Sequence, residues 1–235
     1  MSPPRTEIFA DPQALAQRGA DWIAGLITAH DGAFRMALAG GNSPRLLYRE
    51  LALRTVDWRK VQFYWIDERL VPPDDPDSNL RMARESLLAH IGLAPDQIHP
   101  MPTVGDAENA ARAYETELQD AYGAAVLDPA RPLFDFTLIG LGADGHICSL
   151  LPGSPVLEEQ TRWVAPVTAG RPQARLTLTY PAVESSRLTV FLVTGSDKAD
   201  AVKRVRHGDH TLPGGRLHPQ GDVVWLLDRA AASLV

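Results

Sequence analysis

The sequence predicts an α/β fold: a single domain over residues 1–235, built on a mostly parallel, Rossmann-like sheet with helices on both faces. Two observations carry this expectation. Short apolar runs bounded by glycine, proline or charged residues alternate with longer stretches whose apolar residues recur at helical spacing, the pattern of strands joined by crossover helices. Three of the runs also end in polar or glycine-rich segments, as strands of a parallel sheet do at the edge where ligands collect.

Taken in order, Thr6–Phe9 is a short strand. Asp11-Pro12 then opens a helix to about Ala29, since Asp ahead of Pro is a strong start signal. Leu15, Ala16, Trp22, Ile23, Leu26 and Ile27 mark its core face. Phe34–Ala39 is a buried strand, followed by Gly40-Gly41-Asn42-Ser43-Pro44 and a helix from about Pro44 to Leu53. Val61–Ile66, aromatic and β-branched, is a strand. A polar loop, Asp67–Asp77, leads to a helix from Asn79 to His90, and Ala107–Tyr122 forms another. Phe134–Ile139 is a buried strand running into Gly140-Leu-Gly-Ala-Asp-Gly-His146. Further strands are expected at Trp163–Val167, Arg175–Thr179, Leu188–Thr194 and Asp222–Leu227, with a helix near Lys198–Arg206.

Composition narrows the function. A hydrophobic fraction of 45% provides a core, and a net charge of −6 argues against nucleic acid or a membrane surface as partner. With Cys148 as the one cysteine, neither an internal disulfide nor a thiolate metal cluster can form. No apolar run approaches the ~18 residues of a membrane span, and Met1–Glu7 lacks the pattern of a signal peptide. A cytoplasmic protein is expected. The histidines other than His146 have no metal-ligand spacing and read as surface or loop residues, and no metal or cofactor is called for.

In a parallel sheet the three strand ends share one edge, so one crevice could gather a phosphate cradle, a carboxylate with an arginine, and a histidine. The start of the helix after Gly40, with Gly41, Asn42 and the Ser43 hydroxyl, suits an anion, although Ser43 ahead of Pro44 is equally an ordinary N-cap. The loop matches neither the Walker motif nor the dinucleotide fingerprint. In extended chain Asp67 and Arg69 point one way and Glu68 the other. Asp67 could then orient His146 or accept from a sugar hydroxyl, and Arg69 could hold a phosphate; a solvated ion-pair cluster is the alternative. His146, beyond a strand end, has the chemistry of a general base. Ser149 lacks the nucleophile-elbow pattern.

Together these segments resemble the 6-phosphogluconolactonase family. The resemblance rests on Gly40–Pro44, on Asp67-Glu68-Arg69 with Ser78-Asn79, and on the stretch Gly140 through Gly153. Arg175-Leu-Thr-Leu-Thr, Thr194-Gly-Ser-Asp-Lys198, Leu212-Pro to Leu217-His-Pro and the Asp222–Ala230 ending extend it along nearly the whole chain. Small departures are Asn42 and Ser43 for the usual Ser and Thr, Cys148 for Ala and Leu151 for Phe. The related glucosamine-6-phosphate deaminases continue Asp-Gly-His-Ile with Ala-Phe-Asn-Glu-Pro, and Leu150-Leu151-Pro152 here lacks that glutamate. The resemblance implies hydrolysis of 6-phospho-D-glucono-1,5-lactone, with catalysis by His146 and Asp67. It implies substrate contacts from Gly41, Asn42, Ser43, Arg69, Asp144, Gly145, Arg175 and Lys198, with the Gly140–Gly145 backbone stabilising an oxyanion. A monomer acting on a small sugar-phosphate lactone is the expectation; a deaminase-like enzyme or a non-catalytic sugar-phosphate binder is the alternative.

Overall fold

A computed structural model describes residues 4–235. The chain runs β1 (Arg5–Phe9), α1 (Pro12–Ala29), β2 (Phe34–Leu38), α2 (Asn42–Leu51), β3 (Val61–Trp65), β4 (Asp67–Arg69), α3 (Asn79–Ser86) and β5 (Ile98–His99). It continues through α4 (Ala107–Tyr122), β6 (Phe136–Ile139), β7 (Val164–Val167), β8 (Arg175–Leu178), α5 (Tyr180–Glu184), β9 (Leu188–Val193), α6 (Ala199–Arg206) and β10 (Asp222–Asp228).

Seven strands form the main sheet in the order β1-β10-β9-β6-β2-β3-β5, and every ladder in it is parallel. From β2 the chain moves outward to β3 and β5, then returns to β6 on the other side of β2 before proceeding to β9 and β10. The connections leaving β2 and β6 therefore diverge, and a crevice opens between them at the carboxyl ends of the strands. Burial of both sheet faces explains the apolar runs: Met36, Ala37, Leu38, Phe63, Phe136, Leu138, Ile139 and Val190 are all buried. α1 is capped by the Asp11 carboxylate, which accepts from Ala14 N at 2.8 Å. It buries Leu15, Ile23 and Ile27 and packs on α2 and β10.

Four expectations need correcting. β7 and β8 do not join the parallel sheet; with β4 they form a separate antiparallel sheet of order β4-β8-β7. The segment joining β7 to β8, residues 168–174, is too short for the crossover that parallel pairing requires. The polar loop expected at Asp67–Asp77 also begins as a strand, β4, paired to β8 with Asp67 opposite Thr177 and Arg69 opposite Arg175. The helix expected to reach His90 breaks at Leu87 and resumes as one 3₁₀ turn, Leu88–His90. His99 is no loop histidine: it lies on β5, stacks on Tyr64 with ring centroids 4.4 Å apart, and bonds Gln62 and Glu117.

Candidate active site

The edge formed by the ends of β2, β3, β6 and β9, roofed by β4 and β8, encloses a cleft of about 450 Å³, the size of a small-molecule site. Gly40–Pro44, Asp67, Arg69, Asn79, Gly140–Gly142, His146, Arg175 and Lys198 are among the residues of its wall.

α2 begins two residues earlier than the sequence indicates, at Asn42, with Gly41 as N-cap at φ +107° and no side-chain cap bond. Ser43 is therefore not an N-cap. Its hydroxyl lies 2.6 Å from that of Thr194, at the end of β9. The first N–H groups of the helix have no intrahelical partner and belong to residues of the cleft wall, an arrangement suited to an anion. Tyr48 fixes the position of this helix start: its buried hydroxyl donates to Ala39 O at 2.9 Å and accepts from Ala39 N at 3.0 Å. That tie between α2 and the end of β2 has no signature in the sequence beyond a tyrosine on the helix's apolar face.

On β4 the strand alternation separates the charges. Asp67 and Arg69 face the cleft. Glu68 is buried on the other side and accepts from Arg69 N, Asn79 N and Leu80 N at 2.7–2.8 Å and from the Ser78 hydroxyl at 3.2 Å. Burial pushes the Glu68 carboxyl up, against those hydrogen bonds. Asp67 does not orient His146. Its carboxylate accepts from Ser149 Oγ at 2.7 Å and from Asn79 Nδ2 at 3.3 Å, and these two neighbours, themselves buried, hold it to the β4 side of the cleft. It remains placed to accept from a hydroxyl of a bound ligand.

Arg69 and Arg175 stand directly opposite each other across the β4–β8 ladder. Like charges in that position repel. Desolvation and then Arg69 lower the Arg175 guanidinium's proton affinity. Arg69 donates to Asp77 O at 2.7 Å and Arg175 to Ser149 Oγ at 3.4 Å, yet the Nε of each is buried without a partner. An anion between them would satisfy both. Lys198, across the cleft ahead of α6, is paired with Asp197 at 3.1 Å.

The β6–His146 loop is folded on itself. Gly142 N donates to His146 O and Gly145 N to Gly142 O, both at 2.9 Å. Those two donors are committed within the turn and are not free for the oxyanion expected at this loop. Gly142 lies so close under the imidazole that a Cβ there would collide with it. Gly145, at φ +77°, packs against Leu212 and stands outside the cleft wall. Asp144 is likewise outside the wall: it sits behind the ring, its Oδ1 2.5 Å from His146 Nδ1. Its other oxygen receives Arg171 Nη2 at 2.8 Å. Despite desolvation, which raises it, the hydrogen bonds from His146 and Arg171 hold the Asp144 carboxyl well below the usual carboxylate range. The carboxylate assigns the ring proton to Nδ1 and leaves the Nε2 lone pair as the free position. Nε2 has no protein partner among the described residues.

Cys148 lies in the cleft wall at φ +51°. Burial and then the Asp67 charge push its thiol far up, so it is no nucleophile at neutral pH. Among the described residues no group of three or more His, Cys, Asp or Glu is placed to hold a metal ion.

A switch-point cleft walled by three cations and an oriented imidazole has the make-up of an enzyme site for a small anionic substrate. Comparison with known proteins makes this specific. Residues 10–225 match the family described as glucosamine-6-phosphate isomerases/6-phosphogluconolactonase, and the chain belongs to that family. It is 41% identical over 241 residues to the 6-phosphogluconolactonase of Mycobacterium tuberculosis, covering 97% of this chain and 96% of the relative. It is 38% identical over 237 residues to that of Synechocystis sp., covering 97% of each. Among solved structures, the 6-phosphogluconolactonase from Trypanosoma brucei superposes with a TM-score of 0.81 at 30% identity, with 98% of each chain covered. A monomeric glucosamine-6-phosphate deaminase superposes with a TM-score of 0.84 at 25% identity, covering 98% of this chain and 100% of the other.

Proposed function

We infer that the chain is a 6-phosphogluconolactonase, hydrolysing 6-phospho-D-glucono-1,5-lactone to 6-phospho-D-gluconate in the oxidative branch of the pentose phosphate pathway. The observation that carries the reading is His146: oriented by Asp144 through Nδ1, it offers Nε2 to a water. No carboxylate stands beside it where a deaminase has one. Leu150 and Leu151 occupy that stretch, and both are buried. Lactone hydrolysis needs one proton acceptor that becomes a donor, whereas isomerisation needs proton traffic at two carbons.

The phosphate is read onto the N–H groups and side chains at Gly41, Asn42 and Ser43 and onto Arg69, Arg175 and Lys198. Asp67 accepts from a sugar hydroxyl. His146 takes a proton from water as the water oxygen bonds to C1, giving a tetrahedral oxyanion. The oxyanion collapses with cleavage of the bond from C1 to the ring oxygen, which receives the proton from His146. The new carboxylic acid ionises to solvent. General base catalysis of this kind is typically worth ~10²–10⁴ in rate.

A monomer is the working unit of this reading. A continuous buried apolar cluster from Leu15 to Ala232 supports one domain over 1–235. No helix among the described residues is long and apolar enough to cross a membrane. The reading is completed by a cytoplasmic location, where the lone thiol stays reduced.

The test is a coupled assay on freshly generated lactone at slightly acidic pH, where the spontaneous reaction is slow. The wild-type chain should accelerate hydrolysis, and His146→Ala should lower kcat by at least ~10² while retaining the fold. No acceleration by the wild type, or ammonia release from glucosamine 6-phosphate, would overturn the reading.

A further inference from the structure

Resting on that reading, we propose that Arg171 is a positioning residue for His146: it clamps Asp144 from behind and supplies the countercharge that keeps the imidazole able to accept a proton. Arg171 lies in the turn between β7 and β8, 27 residues from Asp144 in sequence. Its Nη2 is 2.8 Å from Asp144 Oδ2 and 3.4 Å from His146 Nδ1. Asp144 is thus gripped through both oxygens, by the ring on one and the guanidinium on the other.

This arrangement does two things. A carboxylate held only by His146 could rotate about its side chain, because Asp144 is well exposed and no other group among the described residues bonds it. A bond from a second direction fixes its plane, and with it the ring. The second effect is electrostatic. A lone carboxylate against an imidazole favours the imidazolium, which has no lone pair for a water proton. A guanidinium on the same carboxylate, within van der Waals reach of the ring, offsets that bias without removing the hydrogen bond. The other charged groups facing the cleft are Asp67 and Arg69 on β4, Arg175 on β8, and Asp197 and Lys198 ahead of α6. None of these bonds His146 or Asp144 among the described residues. The turn is also tied down independently, since Gln173 Nε2 donates to Asp77 Oδ2 at 2.7 Å and Leu70 N to Ala174 O at 2.8 Å. Substitution at Arg171 should therefore alter the clamp without releasing the loop.

Arg171→Gln and Arg171→Lys test this through two readouts. In the pH dependence of kcat, Arg171→Gln should move the acid limb upward by about one unit and lower kcat at pH 6 by roughly tenfold. KM should change little, and Arg171→Lys should restore much of the wild-type profile. Independently of activity, ¹⁵N NMR of the imidazole in the unliganded protein should show an Nδ1–H tautomer at neutral pH and an upward shift of its titration in Arg171→Gln. An unmoved acid limb and titration in folded Arg171→Gln would overturn the proposal. So would a raised KM with unchanged kcat, which would make Arg171 a substrate contact. If the chain proves not to be a lactonase, the NMR titration still decides whether Arg171 governs His146.

Discussion

At the scale of single residues, the proposed function divides the cleft into groups that act on the reaction and groups that act on binding. Lys198 and Arg69 face a space that His146 also faces, but a phosphate five carbons from the reacting ester carries the same charge before and during hydrolysis. A cation on it lowers the energy of ground and transition states alike. Arg69→Ala and Lys198→Ala should each raise KM by about tenfold or more, as expected for a charge-assisted bond of roughly 1.5–3 kcal/mol, with kcat within a few-fold of wild type. Steady-state kinetics on phosphorylated and unphosphorylated lactone check this: the unphosphorylated compound should barely distinguish the variants, and equal losses on both would remove the two cations from the phosphate. The acid side of the pH profile can also be apportioned by sign. The Asp144 carboxyl is held low in the folded chain. An unfolded aspartate takes up its proton near pH ~4, so the unfolded state binds more protons as pH falls through that value. The contribution of the Asp144 bonds is then fully present above pH ~4 and is lost only below it, and solvent keeps it modest at so exposed a group. Activity lost between pH 7 and 5 therefore belongs to another group.

At the scale of elements, β4 shows how a short polar segment becomes architecture. Glu68 accepts from three backbone N–H groups, two of them at the start of α3. It caps that helix from outside, alongside the Ser78 N-cap, and binds the second sheet to it. Glu68→Ala should cost about 3 kcal/mol by orphaning those donors, a fall in Tm of roughly 6–12 °C for a chain of this length. Glu68→Gln, which keeps one acceptor oxygen, should cost distinctly less. Thermal unfolding of the two variants checks the assignment, and a fall below about 2 °C in Glu68→Ala would contradict it. This element also marks the limit of what the sequence discloses. β2, β3, β6, β9 and β10 are legible because a strand buried on both faces must be apolar throughout. β4 is Asp-Glu-Arg, whose strand character comes from pairing with β8 a hundred residues on, and no local pattern encodes that. Alternation still placed Asp67 and Arg69 on one side and Glu68 on the other, since it needs only extended backbone. The site divides in the same way. His146 and Ser43 are visible as residues that punctuate strand ends, whereas Lys198 and Arg175 enter only through the family resemblance. The partner of the imidazole, by contrast, was expected on β4 and lies two residues before it, because Ser149 and Asn79 hold the Asp67 carboxylate elsewhere. Arg171 gave no signal at all.

At the scale of the whole molecule, a chain of net charge −6 is expected to bind an anion, and the topology explains how. The divergence of the chain at β2 and β6 brings the α2 N-terminus, the two arginines of the small sheet and Lys198 to one crevice. Local positive charge is thereby concentrated where the overall field is negative. Two of those cations are paired across a ladder and partly unsatisfied, and on the proposed function a phosphate would bond both. Ligand binding should consequently appear as stability of the entire fold. At a concentration one hundred times its Kd, 6-phosphogluconate should add about 2.7 kcal/mol, a rise in Tm of roughly 5–10 °C. Inorganic phosphate should give a smaller rise at equal concentration, since it engages the same charges without the sugar contacts. Gluconate, which lacks the phosphate, should give the least of the three. Sodium chloride at matched ionic strength separates this from general screening, which acts on exposed charges over a distance of about 8–10 Å and should leave Tm nearly unchanged. The rise with 6-phosphogluconate should shrink in Lys198→Ala and Arg69→Ala but persist in His146→Ala, where the phosphate seat is intact. Gluconate stabilising the chain as strongly as 6-phosphogluconate would mean that the clustered cations serve the fold and not the ligand.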